Sequence, residues 1–271
     1  MATATVNGTD LYYEKRGSGE PLLLVQGMSG THAAWGEPFL AALEEAGFQT
    51  VAYDHRGIGR SAAWSAPFSL ADLAGDAAGL LDALGWESAH VLGISMGGMV
   101  SQELALSHPE RLRTLTLGCT YAGGPGSSLT APDVMQALGE AMMSGDRERA
   151  LRQGYETNVS SAFAADEANY GPFREMALSV PAPLPVIMLQ MQAIGGHDTS
   201  ARLASIVAPT LVVHGTEDRM LGVANGRAIA AAIPGARLEL LEGVGHLFWW
   251  EQPAVSGALV AAHALGAATA A

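Results

Sequence analysis

The sequence predicts an α/β protein in which a mostly parallel sheet is covered by helices on both faces. Short runs of strand-forming residues alternate with helical patterns of ten or more residues over the first 120 positions, and this alternation is typical of a parallel sheet. Residues 22–25 read Leu-Leu-Leu-Val, as expected for a strand buried on both faces. The alternation stops near Tyr121 and returns near Thr210, which indicates one α/β domain interrupted by an insertion.

The elements before Tyr121 follow one another in a regular order. The turn Gly17-Ser18-Gly19 joins the first two strands. Strands are predicted at residues 11–13, 22–25, 50–53, 90–94 and 114–118. Helices are predicted at residues 34–45, 70–84 and 96–107. Ser69 is the expected N-cap of the second helix.

The chain beyond Tyr121 divides into a helical stretch and a return to the sheet. The helical stretch has no strong strand, and its helices are predicted at residues 131–143, 148–156 and 186–193. The returning elements are a strand, a helix, a strand and a closing helix at residues 210–213, 223–232, 238–241 and 248–262. We therefore predict a core domain of residues 1–120 and 206–271, with a helical cap of residues 121–205 lying over the sheet.

The composition favours a folded protein that acts on small molecules. Apolar residues make up 49% of the chain and charged residues 15%, which argues against intrinsic disorder. The net charge of −13 would repel polyphosphate chains, so nucleic acid is not an expected partner. It would also steer strongly anionic substrates away unless a local basic patch exists, and no cluster of lysine and arginine is visible.

Features that report on the compartment point to the cytoplasm. The single cysteine, Cys119, excludes a disulfide within the chain and follows an apolar run in which a buried, inert thiol is expected. The N-terminal residues resemble no signal peptide, and no apolar run approaches the ~18–20 residues of a membrane span. We expect a cytoplasmic protein with no membrane partner, while the sequence leaves the oligomeric state open.

A serine at the end of a predicted strand is the strongest sign of chemistry. Gly93-Ile94-Ser95-Met96-Gly97 has the pattern G-x-S-x-G, with an apolar strand before it and a helix after it. A serine in such a turn adopts a strained backbone conformation that lifts its hydroxyl clear, and glycine is needed on both sides because side chains would collide. Ser95 is therefore the predicted nucleophile.

An acid and a histidine follow two later strands, where they could complete a catalytic triad. A serine nucleophile needs a base, and the base needs an orienting group. Asp218 and His246 each follow a strand, so adjacent strand ends could bring them together. The order Ser, Asp, His is the one associated with the G-x-S-x-G motif. Glu217 competes with Asp218 for the orienting role, although the shorter side chain fits better after the turn.

Two backbone amides are predicted to bind the oxyanion of an acyl transfer. The amide of Met96 is the first, because Met96 directly follows the nucleophile. The second is expected from the loop after residues 22–25, where we choose the amide of Met28.

Together these motifs resemble the α/β-hydrolase superfamily over nearly the whole chain. The matching segments are residues 27–30, 54–61, 93–98, 108–111, 215–218 and 243–246, with Glu251 and Pro253. The chain is similar to small capped serine esterases and lactonases, including enol-lactonases, polyketide methyl esterases and cofactor-free haloperoxidase-type enzymes. The resemblance implies an eight-stranded, mostly parallel sheet, a helical cap over the site, and chemistry without a metal or cofactor.

One position departs from the family pattern. Gln26-Gly27 stands where many members have His-Gly, and some branches, including esterases of aromatic polyketide pathways, also lack that histidine. The difference concerns the oxyanion loop and the subgroup rather than the reaction class. The serine nucleophile separates the chain from the haloalkane dehalogenases and epoxide hydrolases of this fold, which use aspartate.

The predicted cap is rich in methionine and aromatic residues, although methionines at helical spacing are more often core residues than pocket residues. The residues expected to line the pocket are Met142, Met143, Met188, Met191 and Trp249. An apolar small-molecule ester, thioester or lactone fits such a pocket better than a sugar or a peptide.

We therefore expect a serine hydrolase that forms an acyl-enzyme, and two alternatives stay open. The scaffold could serve as a small-molecule receptor, which slow single turnover with a stable adduct would reveal. It could also support lyase, cyclase or perhydrolase chemistry, which shares the triad.

Overall fold

The computed structural model describes residues 2–180 and 182–268, and an eight-stranded sheet forms its centre. The strand order across the sheet is β1-β2-β4-β3-β5-β6-β7-β8. The strands are β1 (Ala2–Val6), β2 (Thr9–Gly17), β3 (Glu20–Val25), β4 (Phe48–Tyr53), β5 (Ala89–Ile94), β6 (Leu112–Gly118), β7 (Thr210–Gly215) and β8 (Arg237–Leu241). β2 pairs antiparallel with β1 and β4, and the remaining neighbours are parallel. The predicted strands are all present.

β1 is the strand that the sequence reading missed. Ala4 and Val6 are buried, whereas the threonines between and before them, Thr3 and Thr5, face solvent. A short edge strand with one buried face has few apolar residues, so its pattern resembled a polar terminus.

Helices cover both faces of the sheet, and further helices form the segment between β6 and β7. They are α1 (Glu37–Glu45), α2 (Leu70–Leu84), α3 (Met96–Ser107), α4 (Pro132–Met143), α5 (Arg147–Asn158), α6 (Ser161–Ala164), α7 (Tyr170–Ser179), α8 (Leu184–Gly195), α9 (Ala224–Ala232), α10 (Phe248–Glu251) and α11 (Pro253–Ala268). Ser69 caps α2 as predicted, through a capping box with Asp72.

An apolar layer packs against each face of the sheet. Val91 and Leu92 are neighbours on β5, yet they enter opposite core clusters because successive strand residues point to opposite faces. One cluster lies under α2, α3 and α9, and the other lies under α1 and α11. Because β5, β7 and β8 run parallel in the sheet, their carboxyl ends lie at the same edge, where the site residues follow them.

The helices between β6 and β7 pack among themselves and against the end of the sheet. α5 contacts α4 and α7, and Tyr155 lies with Val159 and Tyr170 in a small separate cluster. The amide of Leu247 donates to the carbonyl of Asn158 at 2.9 Å, which joins α5 to the loop that follows β8. The predicted helices of this segment are present, whereas α6 and α7 were not predicted. The division into a core and a cap stays a prediction.

No single helix within residues 2–180 and 182–268 is long and apolar enough to cross a membrane. Only Glu167–Ser179 and Leu184–Gly195 taken together reach that length and composition, and a bend of 101° separates them.

Candidate active site

Ser95 lies in a sharp turn between β5 and α3. Its backbone has φ 52° and ψ −123°, a region that residues with a side chain rarely adopt. A hydrogen bond from the loop after β6 stabilises the turn, because the carbonyl of Ser95 accepts from the Thr120 hydroxyl at 2.7 Å. Ser95 is also only partly buried, so the strained turn presents its hydroxyl to a cavity.

Both glycines of the motif are required by close backbone approaches. A Cβ atom on Gly97 would lie 2.0 Å from the carbonyl oxygen of Val25. A Cβ atom on Gly93 would lie 2.2 Å from the hydroxyl of Ser101 and 2.3 Å from the carbonyl of Gly97. These overlaps are the collisions that the motif predicted.

Asp218 and His246 meet at the ends of β7 and β8. The imidazole Nδ1 of His246 lies 2.7 Å from Oδ2 of Asp218, and both side chains are buried. An ionised carboxylate can only accept, so Nδ1 carries the proton and donates it to Asp218. In the neutral imidazole, Nε2 of His246 is then left with a lone pair, which is the state that a general base needs.

The carboxylate of Asp218 is held by three donors, two backbone amides and the imidazole of His246. Its Oδ1 accepts from the amides of Met220 at 2.8 Å and Leu221 at 2.9 Å. Nε2 of His214 also lies 3.1 Å from its Oδ2, although the shorter contact of that nitrogen, 2.6 Å, is to the carbonyl of Leu221. Burial alone would raise the pKa of Asp218, but the charge of His246, together with the His214 and His246 imidazoles that face the carboxylate, outweighs burial and lowers the pKa well below its usual range. Asp218 is therefore ionised.

The pKa of His246 is shifted in the opposite direction, upwards. Burial would lower the pKa of its imidazole, but the negative charge of Asp218 outweighs burial and raises the pKa well above its usual value. The Cys119 thiol adjoins the imidazole, and burial raises the pKa of that thiol. Cys119 is therefore a buried, protonated thiol, as its sequence context predicted.

Glu217 does not reach the imidazole. Its carboxylate accepts from the amide of Ser161 at 3.4 Å, and its side chain is exposed. The structure thus brings Asp218, and not Glu217, against His246. His214 was missed, because a histidine inside an apolar strand looks like a core residue until the fold turns it towards Asp218.

The loop after β3 lies directly beside the nucleophile. A Cβ atom on Gly27 would be 3.0 Å from Cβ and 3.5 Å from Oγ of Ser95. Within the described part of the chain, the amides of Met28 and Met96 have no hydrogen-bond acceptor. Both predicted donors therefore remain available for an oxyanion. The side chain of Met96 itself is buried in the core.

Two glutamine side chains, Gln26 and Gln190, hold this loop in place. Oε1 of Gln26 accepts from the amide of Gly27 at 3.0 Å, and the carbonyl of Gln26 is 2.9 Å from Nε2 of His55. The amide of Ser29 donates to Oε1 of Gln190, a buried residue of α8, at 2.9 Å. The loop is thus fixed from both the sheet and α8.

Ser95 and His246 line one cavity of about 450 Å³. Its other walls come from the loop after β3, from α5, α7 and α8, and from Trp249 and Trp250. The indole nitrogens of both tryptophans donate to the carbonyl of Ala34, at 3.0 and 2.8 Å. Trp249, one of the residues expected to line the pocket, therefore lies in the wall of this cavity. A size of this order suits a small organic molecule.

Four methionines predicted to line the pocket do not reach it. Met142, Met143, Met188 and Met191 are all exposed and lie outside the cavity, so the prediction for them is wrong. On α8 the inner face is formed by Val186, Gln190 and Ala193, which turns the two methionines of that helix outwards. Helical spacing identifies residues that share a face but not the direction in which that face points. The methionines that line the cavity are Met28, Met176 and Met220.

A second cavity of about 430 Å³ adjoins the first. Met176, Trp249 and Trp250 line both cavities and form the wall between them. Among the described residues, no group of three or more His, Cys, Asp and Glu side chains could hold a metal ion.

Comparison with known proteins gives a consistent result. The sequence profile of the α/β hydrolase fold family matches residues 20–253. RutD of Azorhizobium caulinodans, itself a predicted carbamate hydrolase, is 32% identical over 92% of this chain and 92% of its own length. Rhodomycin D methylesterase DnrP of Streptomyces peucetius is 30% identical over 91% and 92%.

The solved structures include a similar enzyme. The enol-lactonase of Burkholderia xenovorans LB400 superposes with a TM-score of 0.83, at 27% identity, over 99% of this chain and all of its own. These matches confirm the predicted fold class, the predicted resemblance and the prediction of an enzyme. The names of the relatives support the predicted carboxylic ester hydrolase activity.

Proposed function

Because the chain belongs to the α/β-hydrolase family, we propose that it is a serine hydrolase that cleaves an apolar small-molecule ester, thioester or lactone through Ser95, His246 and Asp218. One observation carries the proposal. A buried, ionised Asp218 accepts a 2.7 Å hydrogen bond from His246, which shares a cavity with a serine held at φ 52°. Ser95 as nucleophile, His246 as base and Asp218 as orienting acid are the three roles that acyl transfer requires.

The reaction proceeds in two halves. His246 Nε2 takes the proton of the Ser95 hydroxyl while Oγ forms a bond to the substrate carbonyl carbon. The amides of Met28 and Met96 donate to the carbonyl oxygen, which becomes an oxyanion. When the oxyanion collapses, the bond to the leaving group breaks and His246 returns the proton to that group. The product of this half is an acyl-enzyme on Ser95.

Water then completes the cycle. His246 takes a proton from the water molecule as its oxygen attacks the acyl carbon, and Ser95 leaves with that proton. Asp218 remains ionised throughout and stabilises the imidazolium that forms in each half. Its three donors support this, because they hold the carboxylate charge in a buried position.

The cavity favours an apolar acyl or alcohol group. Aliphatic, aromatic and glycine residues dominate its walls, among them Leu151, Phe173 and Ile187. Burying apolar substrate surface there contributes ~25 cal/mol per Å², whereas a sugar would lose hydrogen bonds to water without replacement.

The test is hydrolysis of a panel of p-nitrophenyl esters and lactones. We expect Ser95→Ala to lower turnover by ~10⁴–10⁶ with unchanged folding by circular dichroism. Ser107→Ala is the matched control, because Ser107 is an exposed serine at the far end of α3, the helix that Ser95 precedes, and it should retain full activity. A Ser95→Ala protein that keeps more than a tenth of the wild-type rate would contradict the proposal. One burst of product followed by a stable adduct would favour a receptor instead.

A further inference from the structure

We propose that the substrate carries an anionic group, of the carboxylate class, at the end of the cavity remote from the triad, and that Arg147 binds it. The inference rests on the proposed function, since it specifies the substrate of the same site. It also differs from the expectation drawn from the net charge of −13, which by itself disfavours anionic ligands.

One stripe of α5 forms a wall of the cavity and gives it two different ends. The residues of this stripe, three or four positions apart on one helical face, are Arg147, Ala150, Leu151, Gly154 and Asn158. The carbonyl of Asn158 is bonded to Leu247, the residue after His246, so this end lies near the triad. Arg147 is eleven residues away, which is about 16 Å along a helix at ~1.5 Å per residue.

The middle of the stripe is apolar and open. Ala150 and Leu151 are apolar, and a Cβ atom on Gly154 would have no neighbour within 4 Å. An extended hydrocarbon segment can therefore lie along α5 between the reacting carbonyl and the guanidinium. The substrate that matches both ends has its carboxylate several methylene groups from the ester.

Arg147 is the one permanently charged side chain of this lining, and no carboxylate accompanies it there. The two acids beside it in the chain already have hydrogen-bond partners. Asp146, the N-cap of α5, accepts from the backbone amide of Arg149, and the carboxylate of Glu148 accepts from the side chains of Tyr170 and Arg174. Arg147 has no ion pair or hydrogen bond within residues 2–180 and 182–268. Its guanidinium is therefore free to bind a ligand.

The position of Arg147 is not explained by the stability of α5. It is the first residue of the helix, where the partial positive charge of the helix end disfavours a cation. The same partial charge adds to that of the guanidinium and attracts an anion. A substrate carboxylate at this point would neutralise both charges.

Arg147 would act on binding rather than on chemistry. It contacts a part of the substrate that does not react, so it stabilises the bound substrate and the transition state equally. Such uniform binding lowers KM and leaves kcat unchanged. An effect on KM alone therefore separates this role from a general disturbance of the triad.

The experiment compares two p-nitrophenyl esters of equal length. One is the monoester of suberic acid, which has a free carboxylate, and the other is the octanoate, which is neutral. For the wild-type enzyme we expect a lower KM for the suberate ester. Arg147→Gln should raise that KM about tenfold, the effect of one charge-assisted hydrogen bond, and change KM for the octanoate less than twofold.

Arg149→Gln is the matched control. Arg149 is also exposed, lies two residues along the same helix turn and is not part of the cavity lining. It should leave both KM values within twofold of wild type. Equal KM values of Arg147→Gln and wild-type enzyme for the suberate ester would overturn the proposal. An equal rise in KM with Arg149→Gln would overturn it as well, by assigning the effect to surface charge.

A binding measurement keeps this result separate from the proposed function. Calorimetry with monomethyl suberate uses the Ser95→Ala protein, with and without Arg147→Gln, so it needs no turnover. A tenfold weaker affinity of the double variant supports the anion site even if neither ester is hydrolysed. Equal affinities refute it even if both esters are hydrolysed.

Discussion

Replacing Asp218 by asparagine keeps the shape of the side chain and changes only its hydrogen-bonding character. In the structure, Oδ1 accepts from two amides, and Oδ2 accepts from Nδ1 of His246. Asparagine has a single acceptor oxygen. If that oxygen stays with the two amides, the NH₂ group faces His246 and forces its Nδ1 to become an acceptor. The proton then lies on Nε2, which can no longer take the proton of Ser95.

The expected loss follows from this change of tautomer. Comparable aspartate-to-asparagine changes in catalytic triads lower kcat about 10⁴-fold, or about 5.4 kcal/mol at 1.36 kcal/mol per factor of ten. The pH profile should change as well. Activity needs a neutral imidazole, and the charge of Asp218 raises the pKa of His246, so wild-type activity rises with pH through that raised value. Without the charge, the rising limb moves to lower pH.

The assay is kcat and kcat/KM for p-nitrophenyl butyrate between pH 5 and pH 9. Glu217→Gln is the control, because this neighbouring acid is exposed and remote from the imidazole, and it should retain near wild-type kcat. The reasoning fails if Asp218→Asn keeps kcat within tenfold of wild type. It also fails if Glu217→Gln is the variant that loses activity.

Two further predictions concern the cavity and the fold. Gly154→Leu projects a side chain into the open part of the cavity, so the ratio of kcat/KM for octanoate esters to kcat/KM for acetate esters should fall at least tenfold. The control is Gly139→Leu, at an equally open glycine of α4 outside the cavity lining, which should leave this ratio unchanged. An unchanged ratio in both variants would contradict the assigned cavity. Burial, assisted by the charge of Arg113, lowers the pKa of His90 to about 4. Because the unfolded chain binds a proton near pH 6.5 and the folded chain does not, stability should decrease by up to about 3 kcal/mol as pH falls from 6.5 to 4. Thermal unfolding of His90→Gln should depend less on pH in that window, and an equal slope would refute the assignment.

The sequence was informative where local chemistry requires particular residue types. The turn around Ser95 needs glycine at positions 93 and 97, because a Cβ atom at either position would overlap nearby atoms. The G-x-S-x-G motif already indicates this requirement. The position of Asp218 and His246 after consecutive strands placed them at one sheet edge. Both inferences depend on short segments and on the parallel sheet, which the alternation of strands and helices predicts.

The walls of the cavity were harder to predict, because they depend on how separate helices are oriented. Met188 and Met191 share a helical face, but Val186 and Gln190 occupy the inner one. In the sequence Arg147 is one of several alternating charges, beside Glu148 and Arg149, and only the packing of α5 places it beside the catalytic cavity. Charge counted along the chain therefore missed a local site of the opposite sign.

The central claim is that Ser95 is the activated nucleophile, and covalent labelling tests it most directly. The wild-type enzyme would be treated with a labelled fluorophosphonate, digested and mapped by mass spectrometry. We predict one adduct, on Ser95, which disappears in Ser95→Ala and forms far more slowly in Asp218→Asn. No adduct on the wild-type enzyme, or equal labelling of Ser95→Ala, would contradict the account.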